Sequence, residues 1–146
     1  MPERVVGARG SVLALVPAAF LVLLVLAAIA VDSATEYLAR RELAAAADAA
    51  ANDAATFGLD EVRFRETGEF VLDPGRVQEA VRRALAVRGS DVVDRATVAL
   101  AVDPAAGTVT VTLRSSAHLL FAPVVPGAPH DADVVAQATA DVYIGD

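Results

Sequence analysis

Residues 11–31, SVLALVPAAFLVLLVLAAIAV, contain no charged side chain, and no other property of the chain limits its folding so strongly. As a helix rising about 1.5 Å per residue the run spans about 31 Å, the thickness of a bilayer's hydrocarbon core. Pro17 lies in its second turn, where a missing N–H is tolerated. Arg4 and Arg9 precede the run against one acid, Glu3, while Asp32 and Glu36 follow it. That asymmetry predicts residues 1–10 in the cytoplasm, a transmembrane helix over 11–31 and the remainder outside the cell membrane, a rule that Arg40 and Arg41 weaken without reversing. A second reading of the same run is a cleavable signal peptide, with Ala28-Ile29-Ala30 as the small-x-small site and a mature secreted binding module starting at Val31. The run exceeds the usual signal core of about 7 to 15 residues, which favours an uncleaved anchor.

The helical pattern does not stop at the end of the apolar run. Residues 32–56, DSATEYLARRELAAAADAAANDAAT, have no Gly or Pro and are rich in alanine, the best helix former. Glu36 and Arg40 stand four apart in the favourable order for an ion pair. The expectation is one helix of about 45 residues, about 70 Å long, ended by Phe57-Gly58. The outer part, 32–57, is an alanine-rich extension whose smooth surface suits close helix–helix approach; a plain spacer helix has the same composition. Asp32, Glu36, Tyr37, Arg40, Arg41 and Asp48 are its candidate packing and interface residues. Asp32 and Glu36 in particular either pair with arginines of a neighbouring helix or mark the edge of the lipid.

Residues 58–146 read as an extracytoplasmic α+β domain: a small antiparallel sheet with one packed helix. Val62 and Phe64 alternate with Arg63 and Arg65, Glu66 to Glu69 offer a turn, and Phe70 to Leu72 return, which predicts a hairpin. Asp73-Pro74 is a helix start and Gly89 a stop, with Val77, Val81, Ala84 and Leu85 as the apolar stripe between them. Val98, Leu100 and Val102 alternate with small and polar residues, turn at Asp103–Gly107, and face Val109, Val111 and Leu113 on the return strand. Ala122 to His130 is a Pro/Gly-rich loop, and a last strand alternates Ala136, Ala138, Ala140, Val142 and Ile144 with Gln137, Thr139, Asp141 and Tyr143.

Little in the chain carries chemistry. A net charge of −7 argues against nucleic-acid binding, and the absence of Cys removes disulfides, zinc knuckles and thiol nucleophiles. His118 and His130, with Asp131 and Asp133 beside the latter, have no recognised metal-ligand spacing. Ser115-Ser116 near His118 lack the strand–turn–helix elbow of a nucleophilic serine, and the scattered glycines form no phosphate loop. Asp60 and Glu61 are poorly placed for joint acid–base work, and Arg82-Arg83 read as a solvated face. The expectation is a protein that is not an enzyme, with no cofactor, no metal and no identifiable small-molecule substrate.

Arg9-Gly10-Ser11, the apolar segment with Pro17, the Ala30-Val31-Asp32 exit, Tyr37-Leu38-Ala39-Arg40-Arg41, Leu43 and the Ala46–Ala51 run occur in an order that resembles the TadE/TadG-like proteins. These are pseudopilin-like components of tight-adherence (Flp) pilus assembly. The Ala-Val-Asp exit resembles the TadG side and the short chain the TadE side. The resemblance covers about a third of the chain. It implies a pilin-like architecture, a membrane location, and partners among other pilin-like or pilus-assembly proteins met through the N-terminal helix. It also makes Gly10 and Ser11 the candidate prepilin-peptidase cut. Members so processed carry Glu at the fifth mature position, where this chain has Leu15. The exclusive use of Arg over Lys fits a GC-rich, actinobacterial source.

Overall fold

The computed structural model describes residues 11–142. Gly10 of the candidate cut, and Tyr143 and Ile144 of the last alternating segment, lie outside the described residues.

The first element, α1 (Ser11–Phe57), is a single helix of 47 residues that runs through Ala30-Val31 without a break. It stops where the sequence places the stop. Gly58 donates to the carbonyl of Ala54 at 2.9 Å, and a side chain on Gly58 would collide with that carbonyl oxygen and with Cγ2 of Val77. From there the backbone closes a small loop, with Asp60 N–H on the Val71 carbonyl at 2.8 Å and Asp73 N–H on the Gly58 carbonyl at 2.8 Å.

Inside that loop the predicted hairpin is absent. Residues Glu61–Thr67 form a short helix, α2, and only Leu59 and Leu72 pair as an isolated bridge. The reason is local. Asp60 accepts from the amides of Val62 and Arg63 as an N-cap, and Gly68, at φ 74°, donates back to the carbonyl of Phe64 as a left-handed C-cap. With both ends satisfied, seven residues coil rather than extend, and the Phe64 and Phe70 rings pack at a 41° tilt with centroids 4.6 Å apart.

The expected helix follows as α3 (Pro74–Arg88), with the Asp73 side chain capping Arg76 N–H, Pro74 in the first turn and Gly89 at φ 49° closing the end. Val77, Ala80, Val81 and Ala84 are its buried face. A one-turn helix, α4 (Asp91–Asp94), leads into β1 (Thr97–Asp103), β2 (Thr108–His118) and β3 (Asp131–Asp141). The sheet has the order β1-β2-β3, both pairings antiparallel. Val98 faces Leu113, Leu100 faces Val111 and Val102 faces Val109, the register that the alternation requires. The last strand begins earlier than the alanine alternation suggests, pairing His118 with Asp131. The fold is thus α+β, a long apolar N-terminal helix followed by a small antiparallel sheet packed on helices, α2 and α4 being additions to the one helix expected.

One face of the sheet carries Val109, Val111, Leu113 and Ala117 of β2 with Val134, Ala136, Ala138 and Ala140 of β3, all buried. The other face is polar and threonine-rich, with the Thr110 and Thr139 hydroxyls 2.8 Å apart across the strands. The outer half of α1 covers the inner face, and the buried stripe of α3 packs against α1. On α1 the covered residues are Ala39, Leu43, Ala46, Ala47, Ala50, Ala51, Ala54 and Ala55. The alanine surface that the sequence offers to another helix is therefore occupied by this chain's own sheet and by α3. Alanines of α1 meet alanines of β3, and methyl groups on both sides let helix and sheet approach closely enough to exclude water without large side chains.

Candidate functional site at the exit of the apolar helix

The apolar half of α1 is long and apolar enough to cross a membrane, by length and composition, and none of that stretch is buried. Leu21, Leu24 and Ile29 are each more than half exposed. The first charged residue after it, Asp32, makes a hydrogen-bonded contact with a distant part of the chain.

That contact is made by the loop between β2 and β3. Its neck is closed by Leu119 N–H on the His130 carbonyl at 2.9 Å and by His118 Nδ1 against Asp131 Oδ1 at 3.0 Å. Pro123 nucleates a single 3-10 turn, Ala122–Val124, and the carbonyls of Phe121, Ala122 and Val125 accept from Val124, Val125 and Ala128 in succession. The turn leaves three consecutive amides pointing outward, a concave group of donors that suits an anion. The Asp32 carboxylate fills it. Oδ1 accepts from Leu120 N–H at 2.8 Å and Phe121 N–H at 3.0 Å, and Oδ2 from Ala122 N–H at 2.7 Å. Partial desolvation works to raise the Asp32 pKa, but the three amides outweigh it and hold the carboxyl below its ordinary range.

Beside this latch is a mostly apolar cleft of about 300 Å³ between α1 and the loop, with Ala28, Ile29 and Glu36 on one wall and Phe121 and Val125 on the other. Of the residues singled out in the sequence, Asp32 and Glu36 both line it. Glu36 Oε1 is also 2.7 Å from Arg40 Nη2, the ion pair expected from their spacing. Tyr37, Arg40, Arg41 and Asp48 are exposed and form no cluster with the loop. The Asp48 carbonyl accepts from Asn52 Nδ2 at 2.8 Å, a bond within the helix. Ser11 opens α1, and Ala30 and Val31 are mid-helix residues with no break in the backbone ladder.

The loop backbone was the missing partner in the sequence reading. Amides carry no residue-type signature, yet one signal was there: Leu119-Leu120-Phe121 and Val124-Val125 are large apolar residues in a stretch whose prolines and glycine mark it as a loop.

The other candidates are accounted for structurally. The Ser115 hydroxyl donates to the Val92 carbonyl at 2.7 Å, tying β2 to α4. Asp60 is a helix cap, Glu61 is 3.4 Å from Arg76, and Arg82 and Arg83 both reach Glu79 on the surface of α3. Asp131 turns to His118 rather than to His130, and no group of three or more metal-ligating side chains occurs among the described residues.

A family model described as "Tad: Putative Flp pilus-assembly TadE/G-like" matches residues 10–56. No curated protein and no solved structure gave a match. The matched stretch and α1, Ser11–Phe57, are nearly the same residues. It takes in the exposed apolar half, the Asp32 exit and the buried alanine half, and it leaves the sheet outside. Over that third of the chain, from residue 10 to residue 56, the protein is similar to the TadE/G-like family.

Proposed function

We propose that the protein is a single-pass, pseudopilin-like structural component of a tight-adherence (Flp-type) pilus or a related secretion apparatus, and that it works by assembly rather than by catalysis. Residues 1–10 face the cytoplasm and the α+β domain lies outside the membrane. The observation that carries this reading is the coincidence of the family match with one unbroken helix that changes environment midway. Its first half is apolar and uncovered, and its second half is the spine of a folded domain.

The geometry narrows how partners are met. Since the alanine face beyond Ala39 is used internally, lateral contacts with other pilin-like or assembly proteins fall on the uncovered apolar half. Tyr37, Arg40 and Arg41, exposed just above it, add a polar border to that surface.

Two measurements test the reading. Photo-crosslinkers at Leu21, Leu24 and Ile29 in native membranes are expected to trap a pilin-like or assembly-platform protein; silence at all three positions overturns the assembly role. Determining the mature N-terminus, with the fraction that contains it, is expected to give a membrane-bound chain beginning at Met1, Pro2 or Ser11. A start at Ser11 adds prepilin-type processing despite Leu15. A soluble chain beginning at Val31 overturns the anchored reading in favour of the secreted binding module.

A further inference from the structure

We propose that the β2–β3 loop, Leu119–Pro129, is a second membrane contact, seated in the boundary between headgroups and acyl chains of the leaflet from which α1 emerges, with Asp32 as the latch that holds it there. The proposal rests on the anchored reading of α1.

Three independent observations point to lipid as the occupant. The first is position: the latch residue is the first charge after the apolar run, and Phe121 and Val125 share a cleft with Ala28 and Ile29, the last turn of that run. The loop therefore lies alongside the level at which α1 leaves the hydrocarbon. The second is the exposed surface. Leu120, Phe121, Val124 and Val125 are 60%, 45%, 78% and 60% exposed, and no charged side chain occurs between His118 and His130. The turn at the other end of the sheet, Asp103–Gly107, has no large apolar residue. An apolar patch continuous with an apolar membrane segment is the arrangement by which interfacial elements bind bilayers.

The third observation concerns the backbone. In a poorly hydrated environment each free N–H is costly, so a loop there must satisfy its own amides. From Leu119 to Pro126 every amide is engaged or absent. Leu119 donates to His130, Leu120 to Ala122 donate to Asp32, Val124 and Val125 donate within the turn, and Pro123 and Pro126 have no N–H. An ordinary aqueous loop has no need of this, because water satisfies its amides. Here the one charged group involved, the Asp32 carboxylate, comes from the helix and is spent on three of those donors.

Because the chain has no cysteine, single-cysteine variants of the full protein can carry a fluorophore at one chosen site. We would reconstitute Leu24→Cys, Val124→Cys and Ala105→Cys, each labelled with an environment-sensitive dye, into phosphatidylcholine–phosphatidylglycerol vesicles at a high lipid-to-protein ratio. Nitroxide lipids labelled near the headgroup or deep in the acyl chain then report depth. The expected pattern is deep quenching at Leu24, shallow quenching with a blue-shifted emission at Val124, and neither at Ala105. Quenching at Leu24 with Val124 as silent as Ala105 overturns this proposal and leaves the anchor standing. Silence at Leu24 as well overturns both. Crosslinking between copies through Val124 without quenching would assign the loop to a neighbouring chain and also overturn it. Adding Asp32→Asn to Val124→Cys is expected to lower the shallow quenching; unchanged quenching removes Asp32 from the proposal.

Discussion

The two halves of α1 invert the usual relation between side-chain size and burial. Up to Val31 the helix exposes its largest apolar residues, and from Ala39 to Ala55 it buries its smallest. The difference is set by what lies alongside. In the proposed anchored state the first half meets a fluid of acyl chains, which conforms to any surface, so bulky leucines and valines serve to maximise apolar area. A rigid sheet does not conform, and the alanine methyls of α1 and β3 allow helix and sheet to approach closely. Leu43 is the exception: it is fully buried and is the one large α1 side chain in the core.

The largest test of that contrast uses one substitution in both halves. Leu43→Ala is expected to destabilise the domain by about 3 kcal/mol, as for a fully enclosed leucine. Leu24→Ala should leave the domain's denaturation midpoint in mild detergent unchanged while weakening membrane retention. Equal loss of stability from both would break the division into halves. Next comes the opposite change: Ala50→Leu puts a large side chain where the helix meets the sheet, and overpacking predicts about 2 kcal/mol of destabilisation. The same denaturation measurement on Ala45→Leu, on the exposed side of the same turn, should show little change.

Smaller and more local is the release of the exit loop. Asp32→Asn should speed hydrogen exchange at the amides of Leu120, Phe121 and Ala122 and spare those of β2 and β3. The folded-state pKa of Asp32 is lowered, so its contribution is complete above the ordinary carboxylate value of 3.8. It declines as the pH drops past that value and is gone once the pH has passed through the lower folded value. Exchange protection of the three amides should follow that acid limb and stay flat at higher pH. The smallest effect expected is for Glu36→Gln. It breaks an exposed i,i+4 pair worth about 0.3–0.5 kcal/mol, which moderate salt should erase.

Much of the fold was legible because it is written in periodicity and punctuation. The alternation from Val98 to Leu113 gave the β1–β2 register, and Asp73-Pro74 and Gly89 bounded α3. Misreading 61–67 as extended came from weighing a two-residue alternation above the Asp60 and Gly68 caps, which were equally visible. What covers the alanine half was not legible in polarity. Arg40, Arg41, Glu42, Asp48 and Asn52 do mark the exposed side, but alanine on the opposite side carries no sign of whether another helix, the sheet or α3 covers it. The exit site was hidden for another reason: it joins residues some 90 positions apart through main-chain donors that every sequence possesses.

The absence of any joint at Ala30-Val31 has a mechanical meaning. From Pro17 to Phe57 one rod runs about 60 Å, with the sheet fixed along its far half. A tilt of about 10° at the near end sweeps the far end sideways by about 10 Å, on the same rise per residue. Orientation at the base is thus geared directly to displacement at the tip. A neighbour that leans on the near end of such a lever repositions everything mounted on it, with no hinge to absorb the motion.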